Sequence, residues 1–489
     1  METEEKIREN SYRTILKRLS SLGGVQVFNV VIALIRGKLI ALLLGAEGMG
    51  ISSLFTSSSN TLQQLGALGL NLSMAREVAV EKDNPDRLAH VIAVSTRLII
   101  LTSLLGAAIC VILAPLLSLW SFGNYDNSFS FMTLGGSVFF SIGSIGYMAL
   151  LQGMGRVKRL TYASVVGGLT GLLGGIPLYY FFGNRGIVPA LILFWLAMFL
   201  FYYLSFRKTV DYEKIRFQWN SHRPLVKKLI SLGLILMTGN LFGTLTNYLI
   251  NIFVRYSGSI EDVGLFQAAN SLTNQYVGVI FSALSLDYFP RLSAAAADKL
   301  KFTNVINRQV EIVMLVATPL VILLILSTPL VIEILLTESF LEIIPLMRWL
   351  GFGILIQAVA IPLDYALIAK EKKKIYFWFE VIWANFSWIG WSILFYYLFG
   401  LVGLGVSLVV RSAIDFLIIC VISRKSLQFT YSNSVTLITL VSLLLCAGVF
   451  AASFLPVNLS YFAMGTGLTA SIIFSYTILR KKLGSTPKD

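Results

Sequence analysis

Asn240, Thr244, Asn247, Asn251 and Arg255 recur three or four residues apart along an otherwise apolar stretch. At about 100° per residue they fall within roughly 80° of helical arc, so a helix here carries one polar edge along most of its length. Gln267, Asn270, Ser271, Asn274, Gly278, Ser282 and Ser285 make a second edge of this kind. Asn60, Gln63, Gln64 and Asn71, with the small Ala67 between them, make a third, and Gln26, Asn29 and Arg36 a fourth. A single amide inside a membrane serves as glue between helices at about 0.6 to 2 kcal/mol. Four long edges exceed what glue needs, and they predict helices that wall a central hydrophilic cavity.

Charges among these residues give the cavity a sign. An uncompensated Arg at mid-bilayer costs at least about 2.5 to 3.5 kcal/mol on insertion scales, so its presence needs a reason. Arg36 lies near the middle of its apolar stretch and Arg255 closes the edge begun at Asn240. Two guanidinium groups facing one cavity suit an anionic substrate group, because their donor forks match phosphate oxygens. Arg411 and Asp415 are four apart and pair on one helix, either as a structural salt bridge or as a coupling pair. Lys38 points away from Arg36 and is expected to snorkel, while Asp364, Glu380 and Arg348 stand near span ends, where hydration is the simpler expectation. Cys110, Cys420 and Cys446 fall in apolar stretches and His90 and His222 in polar loops. No catalytic cluster, metal site or disulfide framework is expected, and no cofactor.

The elements that position these residues follow from composition. Hydrophobic residues make up 56% of the chain and charged residues 13%, against about a quarter charged in soluble proteins. Cutting at charges, Pro and polar Gly runs leaves about fourteen apolar segments of spanning length. They cover 21–45, 48–72, 91–117, 129–151, 160–182, 187–205, 229–254, 263–286, 312–336, 344–369, 376–399, 401–422, 435–456 and 461–479. The net charge of +14 is gathered in alternate loops, among them the runs from Arg207 to Lys228 and from Lys370 to Lys374. By the positive-inside rule both termini are cytoplasmic, and the basic excess reports topology and a weak affinity for anionic lipid, with no nucleic-acid partner. The first span is its own insertion signal, with no cleavable leader pattern. Outer loops are short and leave no room for an external catalytic domain.

The expected organisation is a cytoplasmic segment 1–20, an N-lobe 21–206, a linker 207–228, a C-lobe 229–425, and a last pair of spans with the tail at 426–489. Internal similarity supports two lobes of six spans. At nearly one offset along the chain, Gly50 and Asn60 match Gly264 and Asn274, Tyr179 to Gly183 match Tyr396 to Gly400, and Ala149 to Leu151 match Ala366 to Ile368. An even number of spans in each repeat gives both lobes the same orientation, related by an axis along the membrane normal.

The run Arg36-Gly37-Lys38-Leu39-Ile40-Ala41, followed by Leu44-Gly45-Ala46-Glu47-Gly48-Met49-Gly50, resembles the signature joining the first two helices of Wzx-type flippases. These belong to the multidrug/oligosaccharidyl-lipid/polysaccharide exporter superfamily, which includes the MATE transporters. Asp83-Asn84-Pro85, Asp262-Val263-Gly264, Tyr288-Phe289-Pro290-Arg291-Leu292-Ser293 and Leu367-Ile368-Ala369-Lys370 add to the resemblance, which runs over about 21–425. The added pair of spans departs from the usual twelve and resembles the lipid II flippase branch. The resemblance implies an all-α fold of two six-helix pseudo-symmetric lobes plus a C-terminal helix pair. It implies translocation of an undecaprenyl-diphosphate-linked glycan, an O-antigen unit of lipopolysaccharide or a related surface polysaccharide, across a bacterial inner membrane. Other polysaccharide-assembly proteins would be partners. In this picture Arg36 and Arg255 neutralise the pyrophosphate, the amides line the path, and rocking lobes alternate access. No nucleotide-binding Gly-rich Lys-Ser/Thr motif occurs, so a coupling ion, H+ or Na+, the membrane potential or the substrate and product pools would supply the energy. The alternatives are a drug or cation antiporter of the same superfamily and, in another class, a membrane glycan polymerase or ligase.

Overall fold

The computed structural model describes the backbone of residues 2–209 and 219–483, and within these the side chains outside 2–26, 219–222, 235–236, 277, 279–287 and 483. Among the described residues every regular element is helical. The first, α1 (Glu2–Ala67), breaks at Gly45, where φ is 68° and ψ −166°. That backbone region is essentially closed to residues with a Cβ, so glycine ends the first span and starts the second. Residues 29–36 and 56–60 line one cavity, so the two halves lie side by side.

A second break follows at Leu68 and Gly69, both with positive φ, and α2 (Leu70–Glu81) begins beyond it. The expected second span, 48–72, therefore ends at Ala67. Asn71 stands on α2 and leaves the edge of Asn60, Gln63 and Gln64, because two left-handed residues interrupt the helical phase that joined them.

Helices α3 (Pro85–Phe122), α4 (Ser128–Gly153), α5 (Val157–Phe182), α6 (Ile187–Arg207) and α7 (Trp219–Ser257) follow, with a 3₁₀ turn at Gly183–Gly186 between α5 and α6. Small residues set the α5–α6 register. A Cβ on Gly167, Gly171 or Gly175 would meet Met198, Phe194 or Ala190 in turn, an antiparallel order that lets the two backbones approach. Next come α8 (Ile260–Ala294), α9 (Lys299–Leu335), α10 (Ile344–Ala369), the single turn α11 (Lys373–Tyr376) running into a π-helical segment Phe377–Trp383, α12 (Ala384–Phe399), α13 (Leu401–Ser426), α14 (Asn433–Ala452) and α15 (Val457–Leu483).

Among the described residues ten helical stretches are long and apolar enough to cross a membrane, and the pair Arg223–Leu234 and Met237–Ser257, bent by 45°, makes eleven. Two of the ten, Val27–Ala67 and Val157–Arg207, contain the breaks at Gly45 and Gly183–Gly186 and so hold two passes each. The remaining span expected from the sequence is α8, whose amide-rich face sets it apart in hydropathy. The chain is thus a multi-pass membrane protein.

By contact it divides into two compact units, Met1–Gly264 and Leu265–Asp489. The expected lobes divide the chain by internal repeat at 207–228, of which 210–218 lies outside the described residues. The contact division instead puts α7 in the first unit, and named bonds hold it there. Lys228 pairs with the buried Glu77 of α2 at 2.5 Å, the Tyr248 hydroxyl meets Ser121 of α3 at 2.8 Å, and Arg255 donates to the Phe122 carbonyl at 2.7 Å. Within the same unit the start of α8 packs on the second half of α1. A Cβ on Gly50 would stand 1.9 Å from the Ile260 carbonyl oxygen, and one on Gly264 2.0 Å from that of Ala46. One constant offset carries Ala46 to Ile260 and Gly50 to Gly264, so the repeat seen in the sequence is a reciprocal contact in the fold.

In the second unit α14 and α15 are anchored to α9. Glu311 of α9, 7% exposed, accepts from Ser434 at 3.1 Å and pairs with Lys482, and Asn307 accepts from the Ser432 backbone N–H at 3.0 Å. The expected final pair of spans is therefore tied at one end by a buried acid.

Candidate functional site

In the first unit both halves of α1 meet α4, α5 and α6 around a cavity of about 400 Å³. Asn29, Ala33 and Arg36 reach it from the first half, at spacings that put them on one helical face, and Thr56, Ser59 and Asn60 from the second. The opposite wall is aromatic, with Phe194, Trp195 and Tyr202 of α6. Arg36 lies over the Phe194 ring at 5.4 Å from its centroid. No carboxylate pairs with it among the described residues, and none lines the cavity. A ring face holds a guanidinium without neutralising it, so its donors remain available to an anion. Tyr202 is positioned by a 2.6 Å hydrogen bond to Ser164. The Ser144 hydroxyl, on the α4 wall, is buried with no hydrogen-bond partner. A buried polar group left unpaired costs about 1–3 kcal/mol, which a polar guest in this cavity would recover.

Arg36, Asn29 and Asn60 are thus brought together as the spacing predicts. Gln26 falls outside the described side chains, as do Ser282 and Ser285. Gln63 and Gln64 are half-buried further along α1 and do not line the cavity. The α7 edge divides by role. Asn251 is buried and donates to Ser53 of α1 at 3.4 Å, as an interhelical contact. Asn240 and Asn247 are exposed, and Asn247 donates to the carbonyl of Gly243 one turn back.

Arg255 has a different setting from the one its spacing suggests. One terminal nitrogen caps the last turn of α3 through the Phe122 carbonyl, beside the left-handed Gly123, and the guanidinium stacks on Tyr256 at 4.9 Å. A cation at a helix C-terminus is favourable there, and the Tyr256 hydroxyl caps Leu119 next to it. Arg255 is not among the residues that line the Arg36 cavity.

On α8, in the second unit, Gln267 donates to Ser271 at 3.0 Å and Asn274 to the Asn270 side chain at 2.7 Å, so these amides hold one another along the helix edge. Arg411 and Asp415 form their pair at 3.1 Å with 12% and 14% of the side chains exposed. The other carboxylate oxygen accepts from the Trp383 indole at 2.7 Å, and Arg411 stacks on Trp388 at 5.3 Å. Asp364, expected at a hydrated span end, instead holds one oxygen buried without a partner. Among the described residues no group of acids, His and Cys is placed to hold a metal ion.

The aromatic wall is what sequence reasoning missed. Phe194, Trp195 and Tyr202 sit in the most apolar-looking span, yet Trp195 and Tyr202 are seven apart, a one-face spacing that marks them as a pair.

A sequence model described as polysaccharide biosynthesis protein matches residues 39–345, more than half of the chain. The chain belongs to this family. The lipid III flippase of Escherichia coli (strain K12) is 24% identical over 356 residues, which cover 71% of this chain and 83% of that protein, and that of Shigella flexneri matches to the same extent. Among solved structures, the lipid II flippase MurJ in an inward closed conformation superposes with a TM-score of 0.69 at 17% identity, covering 94% of this chain and 99% of that one. An inward-facing multidrug resistance MATE family transporter of the MOP superfamily gives 0.70 at 16% identity, covering 84% and 95%. At these identities the structures establish a shared fold, the one the sequence resemblance implied.

Proposed function

We propose that this protein is a flippase that moves an undecaprenyl-pyrophosphate-linked oligosaccharide, an O-antigen unit or related surface glycan, from the cytoplasmic to the outer leaflet of a bacterial inner membrane. The observation that carries the reading is Arg36, a guanidinium with no carboxylate partner among the described residues, in a largely apolar, aromatic-walled cavity that also presents Asn29, Asn60 and Ser144 among membrane helices. A pyrophosphate supplies the missing anion, and charge-assisted hydrogen bonds from Arg are worth about 1.5–3 kcal/mol each. Asn29 and Asn60 offer donors and acceptors to sugar hydroxyls, and Trp195 offers a flat apolar face. Membership of a polysaccharide biosynthesis family and a relative named as a lipid III flippase support the substrate class. In this reading the chain transports and does no covalent chemistry, both termini are cytoplasmic, and access alternates as two pseudo-symmetric lobes rock.

A cation antiporter with this fold more often needs an acid in the cavity, and among the described residues none lines this one. Arg411 and Asp415, each held by an indole as well as by the other, we read as a structural pair. The exposed Asn240 and Asn247 of α7 are then wall residues of the path, with Asn251 an interhelical contact and Arg255 a helix cap.

Deleting the gene and analysing the membrane lipids tests the reading. The expected result is accumulation of a prenyl-pyrophosphate-linked glycan with loss of the surface polymer, both reversed by the wild-type gene. A deletion strain with a normal surface glycan and no accumulated intermediate overturns it.

A further inference from the structure

In the second unit the π-helical segment and α13 enclose a groove of about 410 Å³. Ile375, Trp378, Phe379 and Trp383 form one wall, Ile418 and Ile422 the other, and Lys374 stands at one end. The groove follows from the chain. An inserted residue widens the helix at Phe377–Trp383, the Asn385 amide reaches back to the Val381 carbonyl at 2.9 Å, and the Trp383 indole is pinned to Asp415. Trp378 is left 66% exposed at the rim.

The helices on either side are antiparallel, with a register set by Trp383 to Asp415 at 2.7 Å and Ser392 to Ser407 at 3.3 Å. Followed back from those pairs, the register brings Lys374 level with Arg424 and Lys425 at the end of α13. All three are exposed, and none has a hydrogen-bond or ion-pair partner among the described residues. The neighbouring Lys370 differs, since it donates to the Ala296 carbonyl and stacks on Phe302. Three free cations therefore crown an apolar groove with an exposed indole at its rim. Glu371 is the one acid in the adjoining 370–374 run.

We propose that this groove is a binding site for an anionic phospholipid of the bilayer, with an acyl chain against Trp378, Phe379 and Ile418 and the phosphate met by Lys374, Arg424 and Lys425. Charge complementarity selects the occupant. A neutral lipid would fill the groove and leave the cations unused, whereas each Lys or Arg near the surface favours an anionic headgroup by about fivefold. The amphipathic indole of Trp378 suits the boundary between chain and headgroup. The site is separate from the Arg36 cavity and does not depend on what that cavity carries.

Native mass spectrometry of the full-length protein, released from micelles holding equal phosphatidylglycerol and phosphatidylcholine, tests this. With three cations contributing, the wild type is expected to retain phosphatidylglycerol over phosphatidylcholine by well more than about fivefold. Lys374→Gln should cut that ratio by about fivefold, and adding Arg424→Gln and Lys425→Gln should bring it close to parity. Phosphatidylglycerol brominated on its acyl chain should quench tryptophan fluorescence less in Trp378→Phe than in the wild type. Parity in the wild type overturns the proposal, as does an unchanged ratio in the folded triple variant, equal quenching in both proteins, or retention of undecaprenyl phosphate in preference to phosphatidylglycerol.

Discussion

At the scale of the residue, Arg36 is where the charge argument can be measured. Its guanidinium has a ring and, among the described residues, no carboxylate beside it, so removing it should affect an anionic guest and leave packing almost untouched. Arg36→Ala is expected to abolish surface-glycan export at normal protein abundance, and Arg36→Lys to restore part of it, since an ammonium keeps the charge and loses the fork. Loss of one charge-assisted bond weakens binding by about 10- to 100-fold. Normal export by Arg36→Ala at wild-type abundance would remove Arg36 from the site. Asn29 and Arg36 were legible in the sequence as one polar edge, and Asn60 as part of another, because helical spacing fixes the face of each; that the two edges line one cavity is supplied by the fold. Trp195 and Tyr202 were not, because an aromatic in an apolar span looks the same whether it meets lipid, core or cavity. Trp195→Ala should lower export while Trp195→Phe retains most of it, if a flat apolar face is what the guest needs.

At the scale of the element, the same spacing rule gave different roles to residues on one edge. Asn251 and Arg255 continue the phase of Asn240 and Asn247, yet Asn251 meets Ser53 and Arg255 meets the end of α3. Periodicity fixes which side of a helix a residue takes; the neighbour on that side is a tertiary fact that one sequence does not contain. Arg255→Ala should accordingly destabilise the protein by about 1–2 kcal/mol, read as a lower thermal midpoint in detergent, with export per molecule preserved. A loss of export without a loss of stability would return Arg255 to the substrate path. Gly50 and Gly264 were visible as a repeat match, and the fold supplies the reason for them: two backbones touching where no Cβ fits. Gly50→Ala should cost about 1–3 kcal/mol or more, because a backbone carbonyl has to move. Asp298, at the N-cap of α9, accepts from the Lys301 and Leu300 N–H groups, and these bonds hold its carboxyl below the usual carboxylate range. Its stabilising contribution is present above the unfolded value of 3.8 and lost as pH falls through the lower folded value. The difference in thermal midpoint between wild type and Asp298→Ala should therefore shrink on acidification below that value.

At the scale of the whole molecule, the number of spans and the two repeats were readable from hydropathy, loop charge and one offset, because the bilayer imposes length and sign on every segment. The packing units were not, since α7 joins the first through side-chain bonds that only the fold brings together. Exposure on a membrane helix has two meanings, water or lipid, and the α7 edge is the place to separate them. Asn240 and Asn247 are exposed while Asn251, one turn further on, is buried. An amide facing hydrocarbon would lose its hydrogen bonds to water at a cost of several kcal/mol, so an exposed edge repeated over two turns favours water. Cys420 is half-buried and would be replaced by serine first; Cys110 and Cys446 are buried. In that background Asn247→Cys should react with a membrane-impermeant thiol reagent, and Asn251→Cys should stay protected. On α8, Asn274→Cys should react as well if the proposed transport wets this exposed amide edge in at least one state. Labelling of Asn247→Cys only by a lipid-soluble reagent would show that this edge faces the bilayer, and the path would then have to run through the Arg36 cavity without α7.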